Sequence, residues 1–119
     1  MSNGFFKATH EIFLLVALLS LCPLSVKASI DDVRAAALAK QNACLGCHAV
    51  DKKIVGPSLQ AIAKKYASDP NASAFLKNKI LKGGSGTWGV VPMPANAKLS
   101  DAELSLLVGW ILRGAPSTN

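Results

Sequence analysis

Five consecutive residues, Cys44-Leu45-Gly46-Cys47-His48, have the spacing C-x-x-C-H. Two thiols separated by two residues can each add across a vinyl group on one side of a porphyrin, and the histidine that follows then falls beneath the iron. This pattern is the attachment signal of a c-type haem. The sequence therefore predicts one haem c, attached covalently through Cys44 and Cys47, with His48 as an axial ligand of the iron.

The N-terminal residues are typical of a secretory signal. Lys7 precedes an apolar block at residues 12–22, and residues 26–28, Val-Lys-Ala, offer small side chains where a signal peptidase cleaves. The block is shorter than the roughly 20 apolar residues of a membrane span. We predict that residues 1–28 are cleaved and that residues 29–119 form a single monohaem domain in the periplasm.

The sequence leaves two alternatives to a cleaved signal. One is an uncleaved anchor that tethers the domain, and the other is a lipoprotein signal that uses Cys22. Leu21 disfavours the second, because a small residue is expected at that position. We expect no membrane insertion after cleavage.

Removal of the signal limits the chemistry that remains. Residues 29–119 keep one histidine, one methionine and two cysteines, with eleven basic and six acidic side chains and a formal charge of +5. A zinc site would need further Cys or His ligands, and a thioredoxin-like pair would need a βαβ context. We expect a monomer with no nucleic-acid partner.

The second axial position of the iron can then be assigned by counting. Bis-histidine ligation is excluded with a single histidine, so the position falls to Met93, to a lysine or to neither. Pro92 and Pro94 stiffen the segment that carries Met93. This setting favours Met93 as the ligand over a methionine that only fills the core.

The loop before Met93 also contains a false signal. Gly84, Gly86 and Gly89 spell G-x-G-x-x-G, the dinucleotide-binding pattern. That pattern should follow a strand and begin a helix, whereas here it follows a predicted helix and leads into a proline-rich segment. We interpret the glycines as allowing the backbone to bend closely around a flat macrocycle.

The predicted elements that position these residues are all helical. A helix begins near Ser29 and runs toward the cysteines, and two more are predicted at 59–66 and 72–82. Ser100 and Glu103 form a capping box before the clearest helix. Its apolar residues recur at i, i+3, i+4, i+7 and i+8: Leu104, Leu107, Val108, Ile111 and Leu112.

Two long stretches, NACLGCHAVDKKIVGPSL (42–59) and GGSGTWGVVPMPANAKLSDAEL (83–104), together with the helix that carries Trp110, resemble the small bacterial class I cytochromes c of the cytochrome c-551 type. The resemblance implies an all-α fold of about four helices around one haem, with the N- and C-terminal helices packed across each other. Relatives often carry an aromatic residue where this chain has Ala39, so we expect a different packing of that crossing.

The same resemblance implies roles for three residues around the haem. The Pro57 carbonyl would accept a hydrogen bond from the His48 ring N–H. Trp88 would donate its indole N–H to a haem propionate, and Asn96 would form a hydrogen bond near the Met93 sulfur.

The predicted function is one-electron transfer without catalysis. Two protein ligands on the iron leave no open position for oxygen, peroxide or nitrite. The resemblance implies a periplasmic carrier that forms transient complexes with redox partner proteins. It would take electrons from a membrane quinol-oxidising complex and deliver them to an oxidase, a nitrite reductase or a peroxidase. The alternative is a haem enzyme or gas sensor with an open axial site.

Overall fold

The structure is a computed structural model, and it describes residues 29–118; the predicted signal peptide lies outside the described residues. This part of the chain forms four α-helices and a short 3₁₀ turn at Cys44–Gly46. Between residues 29 and 118 there is no strand, and only two isolated β-bridges occur. The prediction of an all-α fold is confirmed. The helices are α1 at Ile30–Gln41, α2 at Leu59–Tyr66, α3 at Ala72–Lys82 and α4 at Asp101–Leu112.

Serine caps begin three of the helices. Ser29 Oγ accepts a hydrogen bond from the Asp32 N–H at 3.1 Å, and Ser58 Oγ accepts one from the Ala61 N–H at 3.1 Å. At α4 the predicted capping box is present, since Glu103 Oε2 accepts from the Ser100 N–H at 2.8 Å while Ser100 Oγ accepts from the Glu103 N–H. Hydrogen bonds from Ser100 lower the pKa of Glu103. These local bonds fix where each helix begins.

Helix α4 is at the centre of the hydrophobic core and packs against each of the other three helices. Four of the five residues in the predicted apolar series are buried, together with Trp110, whereas Leu112 is only partly buried. From α1, only the small side chains of Ala35 and Ala39 are buried against this core. Alanines at a helix crossing allow the two backbones to approach closely. The predicted crossing of the first and last helices is therefore present, with alanine on the α1 side.

The chain after α4 folds back onto the same core. Gly114 and Ala115 both have positive φ, and Ala115 is only 2% exposed. The Ala115 N–H donates to the Trp110 carbonyl at 3.0 Å, and the Trp110 indole donates to the Pro116 carbonyl at 3.2 Å. Trp110 is thereby fixed by its own C-terminal segment.

Among the described helices, none combines the length and the apolar character that crossing a bilayer requires.

An ion pair that the sequence did not predict joins the two ends of the fold. Arg113, at the end of α4, donates from Nη2 to Asp32 Oδ1 in the first turn of α1 at 2.5 Å. Asp32 is a buried residue, whereas the Arg113 side chain is half exposed. The hydrogen bond from Arg113 holds the pKa of Asp32 below its usual range. The pair fixes the register of α1 against α4.

Replacing the carboxylate should reduce stability in a pH-dependent way. Because the pKa of Asp32 is lowered in the folded state, its contribution is full above the unfolded pKa of about 3.9 and is lost as the pH falls through the lower folded value. We expect Asp32→Asn to unfold at lower denaturant than the wild type at neutral pH, with the difference shrinking in acid. The control is Asp31→Asn, an exposed acid in the same turn. An equal loss of stability in Asp32→Asn at neutral and at acidic pH would contradict the role of the Asp32 carboxylate.

Candidate haem site

A single cavity of about 380 Å³ contains the predicted chemistry. Both thiols, the His48 ring and Met93 line it. Loop residues 84–94 form part of the remaining wall. Buried apolar side chains of α2, α3 and α4 form another part: Leu59, Ile62, Leu76, Ile80, Leu107, Trp110 and Ile111. Residues as far apart in the sequence as Cys44 and Ile111 thus meet at one site.

The 3₁₀ turn positions the two thiols and the histidine. Ala43 has a φ of 56°, which turns the chain sharply away from α1. The N–H groups of Cys47 and His48 then both donate to the Cys44 carbonyl, at 3.1 and 2.9 Å. Both thiols are free of any disulfide, and burial raises the pKa of Cys44. The turn therefore presents two unpaired thiols and one imidazole to the same cavity.

The predicted contact between His48 and Pro57 is present in the structure. His48 Nδ1 lies 2.7 Å from the Pro57 carbonyl oxygen. A carbonyl only accepts, so Nδ1 carries the proton, and Nε2 is the nitrogen with a free lone pair for a metal. The loop that brings Pro57 here is held by a hydrogen bond from the Gly56 N–H to the Cys47 carbonyl at 2.9 Å.

Gly56 packs directly against the His48 ring, a contact that the sequence analysis did not predict. A Cβ at this position would lie 2.6 Å from His48 Cε1 and 2.9 Å from Nδ1. Both distances are far below van der Waals contact. Glycine directly before Pro57 is the only sequence signal that could have pointed to it. The absence of a side chain lets the loop pack flat against the imidazole.

A methyl group at Gly56 should therefore disturb the imidazole. We expect Gly56→Ala to displace the ring or the loop and to cost about 1–3 kcal/mol of stability, as overpacking usually does. Gly46→Ala is the matched control, because a Cβ at Gly46 would meet nothing within 4 Å. Denaturant unfolding and the reduction potential of the haem-loaded variants measure the effect. An unchanged potential and stability in Gly56→Ala would show that the loop yields without moving the ring.

Met93 lies in a loop segment that pairs with the glycine loop before it. The Met93 N–H donates to the Gly84 carbonyl and the Gly84 N–H donates to the Met93 carbonyl, both at 2.9 Å. Gly84, Gly86 and Gly89 have φ values of 109°, 96° and 122°, and all three line the cavity. The G-x-G-x-x-G pattern is thus part of a loop along the cavity, and no strand precedes it within residues 29–118.

Trp88 and Asn96 are the other two residues whose roles the resemblance implies. The Trp88 ring lines the cavity and is 43% exposed, with Lys65 Nζ 5.3 Å from its ring centroid. The Asn96 backbone N–H donates to the Ile80 carbonyl at 2.9 Å. Hydrogen bonds of the Trp88 indole to a propionate and of the Asn96 side chain to the Met93 sulfur stay predictions.

The residues at this cavity fit a covalently held haem. The donor set combines two thiols, one imidazole nitrogen that is already oriented, and one thioether, inside largely apolar walls. Thioether bonds need free thiols near the vinyl groups, and an iron-bound imidazole is normally fixed through its other nitrogen. Both thiols are free, and the imidazole is fixed through Nδ1 by the Pro57 carbonyl.

Comparison with known proteins decides the family. The model of the family described as cytochrome c matches residues 33–114. This chain belongs to the cytochrome c family. It is a small class I cytochrome c, and its relatives are electron carriers that contain covalently attached haem c. Haem c is therefore its cofactor.

Individual relatives support the same conclusion. This cytochrome c is 51% identical to cytochrome c-552 of Nitrosomonas europaea over 75 residues, which cover 63% of the chain and 73% of that protein. It is 44% identical to cytochrome c-551 of Pseudomonas aeruginosa over 75 residues, covering 63% and 71%.

Solved structures agree with the fold described above. The crystal structure of wild-type Nitrosomonas europaea cytochrome c552 superposes with a TM-score of 0.63 at 49% identity, covering 66% of this chain and 98% of that one. The class 1 cytochrome MtoD of Sideroxydans lithotrophicus ES-1 gives a TM-score of 0.65 at 33% identity, covering 74% and 100%.

Proposed function

We propose that this cytochrome c is a periplasmic one-electron carrier, and not an enzyme, whose haem iron is bound by His48 and Met93. The observation that carries the proposal is that one cavity brings together an oriented imidazole, a thioether and both attachment thiols. When bound, haem supplies iron that changes oxidation state by one electron. The residues around the haem would set the reduction potential of the iron and limit which molecules can reach the iron.

Three features of the chain favour transfer over catalysis. Met93 would be a soft ligand of the iron, which would favour the ferrous state and raise the potential. The apolar walls disfavour the additional positive charge of the ferric state, which acts in the same direction. If His48 and Met93 both hold the iron, they would leave no position open for a substrate.

The partners are proposed from the family resemblance. The donor would be a membrane quinol-oxidising complex, and the acceptor an oxidase, a nitrite reductase or a peroxidase. A carrier that works between them needs short-lived complexes, which small interfaces provide. We propose a monomer that forms such transient complexes.

Exposure of the reduced, haem-loaded protein to carbon monoxide tests this function. A carrier with both axial positions filled should show no spectral change, and the ferric form should show the red charge-transfer band of a methionine–iron bond. Ready binding of carbon monoxide, together with absence of that band, would favour the alternative of a haem enzyme or gas sensor.

Lysines near the cavity should accelerate encounters with an acidic partner. Lys52 and Lys53 are exposed, and Lys53 lines the cavity. We expect Lys52→Glu with Lys53→Glu to slow electron transfer to an acidic redox protein by about tenfold at low salt. The effect should fade near physiological ionic strength, where the Debye length is about 8 Å.

The matched control for these lysines is Lys64→Glu with Lys82→Glu. It changes the net charge equally at exposed helix positions that do not line the cavity. Stopped-flow rates as a function of salt measure both pairs. Equal rates in the two double variants would assign the effect to net charge and not to the position of the lysines.

A further inference from the structure

The chain directly after α3 supports the segment that carries Met93. Gly83 ends this helix with a φ of +67°, and its N–H donates to the Lys79 carbonyl at 2.8 Å. A Cβ on Gly83 would lie 2.2 Å from the Met93 carbonyl oxygen and 2.8 Å from the Ala95 nitrogen. Both are backbone atoms, so no side chain can rotate to make room. Only glycine permits this approach.

Three backbone hydrogen bonds, here called the Met93 attachment, join the same two segments. Two are the reciprocal bonds between Gly84 and Met93, and the third runs from the Asn96 N–H to the Ile80 carbonyl, each at 2.9 Å. Ile80 is buried in the core. The position of Met93 is therefore fixed relative to the C-terminal end of α3.

The helix that bears the Met93 attachment is itself well anchored. Leu76 and Ile80 are buried in the core, and Lys77 Nζ bonds Asp101 Oδ1 of α4 at 2.9 Å. Gly84 lines the cavity, whereas Gly83 is not among the described residues that line it. A change at Gly83 can therefore reach the site only through the backbone that it contacts.

We propose that Gly83 is a positioning residue for the Met93 sulfur. Its missing side chain lets the Met93 segment lie directly on the end of α3, and the Met93 attachment then keeps the segment there. A side chain at residue 83 lifts the segment and raises the fraction of protein in which the iron has lost its sulfur ligand. This inference rests on the proposed ligation by Met93.

The test measures cyanide binding to the ferric, haem-loaded Gly83→Ala variant. Cyanide needs a free axial position, so its apparent affinity scales with the fraction of molecules in which Met93 is displaced. We expect about tenfold tighter binding than in the wild type. The potential should also fall, while the haem stays covalently attached through Cys44 and Cys47.

Gly114→Ala is the matched control. Gly114 also has a positive φ, of 86°, but a Cβ there would meet nothing within 4 Å, and the residue does not line the cavity. This variant therefore carries backbone strain without a collision. Equal cyanide affinities in the two alanine variants would overturn the proposal.

Met93→Ala separates failure of this inference from failure of the proposed function. If Met93→Ala binds cyanide no better than the wild type, Met93 is not the ligand, and both proposals fall. If Met93→Ala gains affinity and Gly83→Ala does not, only the role of Gly83 is overturned.

Amide hydrogen exchange on the unmodified protein covers the case in which Gly83→Ala does not fold. The Gly84 and Met93 amides should exchange as slowly as amides inside α3. Fast exchange at both would overturn the proposal without any variant.

Discussion

Met93→Ala should leave the haem covalently attached and open one axial position of the iron. It should also lower the reduction potential by on the order of 100 mV, since axial ligands set haem potentials over a range of about 0.8 V. Among the described residues that line the cavity, Met93 carries the one thioether, and alanine removes it without changing Cys44 or Cys47. Binding of carbon monoxide to the reduced variant, and voltammetry, measure the two effects.

Met93→Leu is a useful companion to this variant. It keeps an apolar side chain of similar volume against the core while it removes the sulfur, so packing and ligation can be separated. A variant that kept the wild-type spectrum and potential would exclude Met93 as the ligand.

Loss of the attachment thiols should have the second large effect, on folding. We expect Cys44→Ser or Cys47→Ser to weaken haem retention, and the double variant to abolish it. Without haem, the cavity of about 380 Å³ would expose its apolar walls to water, and a domain this small buries little other apolar surface. We therefore expect that the double variant does not fold.

Haem staining after denaturing electrophoresis, and thermal unfolding followed by circular dichroism, measure retention and folding. The control is the haem-loaded wild type carried through the same denaturation, in which the haem stays on the chain. A haem-free double variant that unfolded cooperatively would contradict the argument.

Local patterns were sufficient to predict the helices and the haem attachment. The capping box at Ser100 and the apolar series after it lie within one helix, so sequence spacing alone determines them. The C-x-x-C-H pattern is also local, since one 3₁₀ turn contains its geometry. Met93 lies far from the C-x-x-C-H motif in the sequence, so no local pattern links the two. Its predicted role as a ligand rests instead on the small number of donor side chains in residues 29–119.

Contacts between distant segments could not be predicted in this way. Asp32 and Arg113 are 81 positions apart, and neither residue type indicates a partner by itself. Gly56 and Gly83 matter because of what a Cβ would strike, and that depends on where a separate segment lies. A glycine before a proline or after a helix is ordinary turn chemistry until the opposing backbone is known.

The crossing of α1 with α4 has a consequence for the order of events during biogenesis. The attachment motif directly follows α1, but α4, which covers α1 and supplies part of the cavity wall, is synthesised more than fifty residues later. Pairing of elements so far apart along the chain is slow, because a long loop must close first. In the proposed export and haem attachment, Cys44 and Cys47 would therefore stay accessible until α4 packs against α1. Attachment of the haem would then precede closure of the cavity.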